Sequence, residues 1–271
     1  METMNTEELF KFIENGGEPD DAGLKHLLGL TDPDELQRLY KLAYEVKTRY
    51  VGRVVYFRGL VELSNICNKD CFYCGIRKSN HDVKRFWLTK NEIMKNVIWA
   101  QDNHYGSIVL QSGERNDEEF IDFIEDILLE IRRRTNGQLG ITLSLGEQTL
   151  ETYRRWLEAG ALRYLLRIEA SDPELYVRLH PSDHSYQRRR QCLLDLRTAG
   201  YQTGTGVMIG LPYQSLDNLV HDLRFFQRMD IDMIGMGPYL VHPQTPLAAA
   251  MPNFDVRRQK QLELGLKMIA C

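Results

Sequence analysis

The stretch Val54-Val-Tyr-Phe-Arg58-Gly-Leu-Val-Glu-Leu63-Ser-Asn-Ile-Cys67-Asn-Lys-Asp-Cys71-Phe-Tyr-Cys74-Gly75 decides the reading of this chain. Its first ten residues, Val54–Leu63, are rich in β-branched and aromatic side chains and predict a strand. Three cysteines follow at once, spaced four and three residues apart. On a loop that wraps a small cluster these spacings let the thiolates converge, and thiolates are the ligands that iron–sulfur clusters require. Three protein ligands to a [4Fe–4S] cluster leave one iron open to a small molecule. The competing reading is structural zinc, with His81 or His104 as a fourth ligand. Zinc sites usually pair their ligands as two knuckles, and no second CxxC pair occurs.

Upstream of the stretch, residues 6–15, 21–29 and 33–50 read as short helices, with Thr31 or Asp32 able to cap the third, so residues 1–52 are expected to form a helical N-terminal cap. Downstream, short aliphatic runs alternate with amphipathic segments, the pattern of repeated βα units. The strands predicted after Val54–Leu63 are Ser107–Gln111, Leu139–Ser144, Leu162–Ile168, Thr203–Ile209 and Asp232–Pro238, each apolar enough to be read as buried on both faces. Thr89 with Glu92 forms a capping box before one helix, and Gly160 and Gly200 stand where two others should stop. Polar residues collect at the C-terminal strand ends, which favours a TIM-type (β/α) barrel over an open sheet and gives a core of residues 53–271. Only six of the eight units of a full barrel are present before Cys271, so the barrel reads as C-terminally incomplete.

The chain has a formal net charge of −4 spread over interleaved acids and bases, without the basic run that nucleic acid binding needs, and a small-molecule substrate is expected. Glu2, Glu7 and Glu8 occupy the start where a signal peptide would be basic and then apolar, and no membrane-length apolar run follows. A cytoplasmic protein with no membrane contact is expected. Five cysteines, three of them within eight residues, fit metal ligation in a reducing compartment better than a disulfide framework. Cys192 shares a helical face with Leu193 and Leu196 and reads as a buried apolar residue.

CxxxCxxC with an aromatic before its last cysteine resembles the signature of the radical S-adenosylmethionine (SAM) superfamily. That resemblance implies that SAM chelates the open iron and is cleaved by one electron to a 5′-deoxyadenosyl radical. Such a cofactor needs acceptors for its ammonium, a cation for its carboxylate and a flat apolar slot for its adenine. Ser112-Gly113-Glu114 at the end of the second strand resembles the superfamily's GGEP-type turn. Thr142-Leu-Ser144-Leu-Gly146-Glu147 ends the third strand and Arg167-Ile-Glu169 the fourth; Arg167 and Glu169 are read as functional, with a structural salt bridge as the alternative. Of the run Arg188-Arg-Arg190, Arg188 is the candidate for the cofactor carboxylate. Met208 and Met233 are candidates for the adenine slot, with ordinary core packing as the alternative.

Taken in order, Cys67-Asn-Lys-Asp-Cys71-Phe-Tyr-Cys74-Gly-Ile-Arg77, Val109-Leu-Gln-Ser-Gly-Glu114, Thr142-Leu-Ser-Leu-Gly-Glu147, Tyr164-Leu-Leu-Arg-Ile-Glu169 and Gly237-Pro-Tyr-Leu-Val-His-Pro-Gln-Thr-Pro-Leu247 resemble the biotin-synthase-like radical SAM maturases of [FeFe]-hydrogenase, from about Tyr50 onward. The resemblance implies work on the hydrogenase subcluster, on a small organometallic substrate, with other maturases and a reducing donor such as ferredoxin or flavodoxin. Positions matching the family's cofactor contacts are Tyr73, Ser112, Glu114, Ser144, Glu169, Arg188 and Met233. Those matching its anion cavity are Arg58, Thr142, Arg163 and Arg167. Ile168 stands where the family commonly has histidine, and His180 where arginine is usual. The alternatives are another biotin-synthase-like reaction, such as methylornithine formation, and a non-catalytic iron–sulfur scaffold.

Overall fold

Three short helices lead the chain in the computed structural model, which describes residues 4–251 and 258–271: α1 (Thr6–Glu14), α2 (Asp21–Gly29) and α3 (Pro33–Val51). Each starts where a side chain can take the orphan N–H groups of the first turn. Asn5 and Glu8 make a capping box, Asp20 accepts from the Gly23 N–H, and Asp32 accepts from those of Asp34 and Glu35. The three helices match the predicted ones to within a residue at each end.

Six strands and the remaining helices then alternate: β1 (Gly59–Ser64), α4 (Lys90–Asp102), β2 (Ser107–Ser112), α5 (Glu118–Arg134), β3 (Gly140–Ser144), α6 (Leu150–Glu158), β4 (Arg163–Leu165), α7 (Pro173–Leu179), α8 (Tyr186–Ala199), β5 (Gln202–Ile209), α9 (Leu216–Arg228), β6 (Met233–Pro238), α10 (Pro246–Ala250) and α11 (Arg258–Ala270). The strands are parallel and lie in sequence order, so every crossover connects neighbours. The sheet curls into a partial (β/α) barrel. Arg58, just before β1, brings its Nη1 to 3.5 Å from Sδ of Met233, the first residue of β6, so the two edge strands face each other across the opening.

The strands are not buried on both faces as predicted. Val61, Leu63, Ile108, Leu110, Ile141, Leu143, Tyr164, Val207 and Ile209 point outward into one apolar core with Ile93, Ile124, Leu128 and Trp156 of the helices. Their alternating neighbours, among them Glu62, Gln111, Thr142, Ser144 and Arg163, line the concave interior instead. Two strand boundaries also move. β1 starts at Gly59 because its partner β2 starts at Ser107, with Gly59 opposite Ile108, so residues 54–58 have no neighbour to pair with. Tyr56 and Phe57 are each 78% exposed there. β4 is three residues long because the ladder breaks after Leu165: the Thr205 hydroxyl, in place of a backbone carbonyl, accepts the Ile168 N–H at 3.1 Å.

The leading helices pack on α9 and α11, outside the last strands. Leu24 and Leu28 enter the main apolar core at this join, and polar contacts flank them: Lys25 reaches Asp217 at 2.8 Å, Arg224 reaches Asp21 at 2.7 Å, and the buried Lys267 donates to the Leu30 carbonyl at 2.9 Å. None of the described helices is long and apolar enough to cross a membrane.

Candidate active site

The connection from β1 to α4 carries the three cysteines and is held by its own polar groups. Arg85 donates to four carbonyls, those of Asn65, Ile76, Arg77 and Asn80, at 2.6–3.1 Å. Asp70 accepts from the Ser79 N–H, the Ser79 hydroxyl and Arg77 at 2.7–3.0 Å. Asn65 closes the base of the loop, donating to the Lys84 carbonyl and accepting from the Phe86 N–H. The result gathers Cys67, Cys71 and Cys74, each close enough to disturb another's ionisation. Burial pushes the Cys71 thiol up to about 12 and raises the other two. A buried thiol becomes a thiolate only with positive charge beside it, which a bound metal supplies.

The end of β2 meets this loop in direct contact. A Cβ on Gly113 would lie 2.3 Å from the Ile66 carbonyl oxygen and 2.8 Å from Cys67 Cβ, so only glycine fits. The approach lets the Glu114 N–H donate to Cys67 Sγ at 3.3 Å, alongside the Lys69 N–H at 3.4 Å. Both N–H groups would stabilise negative charge on that sulfur.

Behind the loop lies a buried quartet of charges. Lys69 reaches Glu147 at 3.0 Å and Glu114 at 3.3 Å; Arg189 reaches the same two carboxylates at 2.6 and 3.5 Å. Burial raises Glu114, whereas Glu147, despite its own burial, is held below its usual range by Arg189 and Lys69. Four partners that must all be present make a poor source of net stability and a good specifier of geometry. Here they tie the loop to the ends of β2 and β3 and to α8, and Arg189 also donates to the Arg167 carbonyl at 3.1 Å.

Glu169 stands four residues beyond β4, bridged to Val207 of β5, with φ of +63°, a conformation few residues other than glycine adopt. Its Oε1 accepts from Arg167 Nε at 3.0 Å, while Oε2 is buried without a partner. The salt bridge exists, and it occupies half of the carboxylate. The residue lies close enough to the cysteine loop for its charge to raise both Cys74 and Tyr73. Tyr73 and Met208 pack together with Phe72, Ala170 and Leu179 beside the loop. Ser112 donates to the Gly113 carbonyl, and Ser144 ends β3 on the interior face.

Other expected residues are placed elsewhere. Met233 opens β6, at the opposite end of the strands from the cysteines, and packs on Gly204 and Arg58. Arg188 turns outward, 46% exposed, and donates to the Gln148 carbonyl; Arg189, 11% exposed, is the member of its run that turns inward. Thr142 and Arg163 share a rung two residues down the interior from Ser144, and the buried Thr142 hydroxyl has no partner. Arg167 sits above them. His104 follows α4, at the strand ends remote from the cysteines. Lys69, Glu147, Arg189 and the pair His180 and His184 were not chosen from sequence as site residues. The signal for Lys69 and Arg189 was present: cations inside a cysteine motif and at a helix start, opposite glutamates at two strand ends.

The site fits the group its cysteines suggest. Three soft donors on one loop, two N–H groups on one sulfur, and a carboxylate oxygen left free in a buried place are what a cluster with a chelated zwitterion would use. Comparisons agree. Residues 61–226 match the Radical SAM superfamily. The chain is 44% identical over 248 residues to "[FeFe] hydrogenase maturase subunit HydE" of Thermotoga maritima, covering 91% of this chain and 68% of that protein. It is 25% identical over 265 residues to "3-methylornithine synthase" of Methanosarcina acetivorans, covering 96% and 74%. The crystal structure of methylornithine synthase (PylB) superposes with a TM-score of 0.80 at 22% identity, covering 97% of this chain and 83% of that one, which shows the shared fold. The chain therefore belongs to the radical SAM superfamily, whose members use a [4Fe–4S] cluster and SAM. Within it, this enzyme belongs with the [FeFe]-hydrogenase maturases of the HydE kind.

Proposed function

We propose that Cys67, Cys71 and Cys74 hold the cluster, and that the chain acts on a small anionic organometallic substrate during assembly of the hydrogenase subcluster. When bound, the cluster and SAM supply reductive cleavage to a 5′-deoxyadenosyl radical. The carrying observation is that Glu169, with one buried carboxylate oxygen free, lies close to Cys74 and to Tyr73, which packs with Met208 beside the cysteine loop. Glu169 Oε2 would accept a polar hydrogen of SAM, Met208 and Tyr73 would shield its apolar part, and Ser112 and Ser144 would border it. Arg163, Arg167 and Thr142 attract and orient an anion below, with Arg58 at the far end. Arg163 and Arg167 are half-buried, and a guanidinium so placed favours an anionic partner.

A reducing partner such as ferredoxin or flavodoxin, cooperation with other maturases and a cytoplasmic setting belong to the same reading. After anaerobic reconstitution the protein should be brown, bleach with dithionite, and release 5′-deoxyadenosine from SAM, with Cys67→Ala abolishing release. A colourless, zinc-loaded protein would end this proposal, and an iron-loaded protein that forms no 5′-deoxyadenosine would leave only a scaffold.

A further inference from the structure

Two histidines outside the cysteine motif grip the segment that bears Cys71. His184 Nε2 accepts the Asp70 N–H at 3.0 Å, and His180 Nε2 lies 3.2 Å from the Tyr73 hydroxyl. His180 is 3% exposed, stacks on Tyr176 with ring centroids 4.0 Å apart, and meets Tyr73 edge-on at 5.3 Å. Its other nitrogen, Nδ1, is 2.8 Å from the Tyr176 carbonyl oxygen. A carbonyl only accepts, so Nδ1 carries the hydrogen, and in a neutral ring Nε2 is then an acceptor. Burial keeps the ring neutral, lowering its pKa to about 4. The Tyr73 hydroxyl has one hydrogen, which His180 Nε2 is placed to accept, and it lies near enough to the Cys71 sulfur to affect that thiol's ionisation.

We infer that His180 is a positioning residue: by fixing its tautomer through Tyr176, it draws the Tyr73 hydrogen to itself and withholds it from the Cys71 sulfur. The inference rests on the reading of Cys71 as a cluster ligand. A hydrogen bond to a cluster sulfur stabilises the reduced, more negative state and raises the reduction potential, so withholding one keeps the potential low. A low potential favours electron transfer from the cluster to a reluctant acceptor.

The test is the midpoint potential of the reconstituted [4Fe–4S] protein without SAM, followed by electron paramagnetic resonance of the reduced cluster. His180→Arg replaces the acceptor by a group that only donates. It should free the Tyr73 hydrogen for Cys71 and shift the potential upward, and the shift should be smaller in His180→Arg/Tyr73→Phe, where only the added positive charge acts. Tyr73→Phe alone should leave the potential where it is, because that hydrogen never served the sulfur. A downward shift in Tyr73→Phe would overturn the inference, as would a His180→Arg shift of the same size with and without the hydroxyl. If His180→Arg does not load iron, the Tyr73→Phe result decides by itself. Failure of the parent chain to form a cluster at all would overturn the ligand reading and this inference with it.

Discussion

Glu169 combines an unfavourable backbone with an unfinished carboxylate, two local penalties at one position. Strain of that kind persists only where the surroundings impose it, and it gathers at functional sites. Glu169→Gln keeps the shape and the bond from Arg167 but removes the charge. We expect KM for SAM to rise roughly tenfold or more, the value of a charge-assisted hydrogen bond, with little loss of thermal stability. A second residue makes a stability prediction. Asp222 accepts the Ser171 N–H at 2.8 Å with one oxygen, and burial pushes its pKa up to about 7. As pH rises from about 4 to 7 the unfolded chain releases this proton while the folded chain retains it, so stability falls through that window and levels off above it. Asp222→Asn should remove this contribution, up to roughly 4 kcal/mol, and flatten the slope of Tm between those pH values. Glu169 was legible in sequence because its motif ends a strand. Its free oxygen was not, because whether Arg167 takes one oxygen or two depends on the broken ladder after Leu165, a tertiary feature.

At the scale of elements, the helices were readable nearly to the residue because their caps are local: Asn5, Asp32 and Thr89 act within their own first turns. Strand ends were less so, because a strand ends where its neighbour ends. Val54–Phe57 has every intrinsic preference for β structure and no strand beside it. The same dependence explains the arginine run: position in the sequence names three candidates, and the rotation of α8 against Glu114 and Glu147 selects Arg189. The contact between β2 and the cysteine loop offers a direct test. Gly113→Ala forces at least one of them to move, at a cost of about 1–3 kcal/mol for overpacking. Iron content after reconstitution should drop well below the parent's. Gly137→Ala, at a site with no atom within 4 Å but φ of +68°, should lose stability without losing iron.

For the molecule as a whole, the curled sheet, its outer helices and the leading helices behave as successive layers. The outermost join depends on Lys267, whose ammonium is buried against the Leu30 carbonyl. Lys267→Met keeps the stem but orphans that carbonyl, and should lower the urea midpoint by the equivalent of about 1–3 kcal/mol with an unchanged m value. A changed m value would mean that the leading helices melt as a separate unit. The barrel was legible from the repeat of βα units. The polarity of its inner wall was less so, because a run such as Leu139–Ser144 is apolar enough to pass for a strand buried on both faces until Thr142 and Ser144 are seen to share the inner face. Arginines inside become intelligible only when Arg163 and Thr142 are seen on one rung of the inner face.

Arg85 has a bearing on how this protein would be made. By binding four carbonyls it fixes the path of the cysteine loop with protein atoms alone. The conformational entropy of that loop is thus surrendered when the chain folds, not when iron arrives. Zinc fingers stay unfolded until metal organises them. This loop is braced by its own polar groups, so cluster insertion should require little further ordering of the chain.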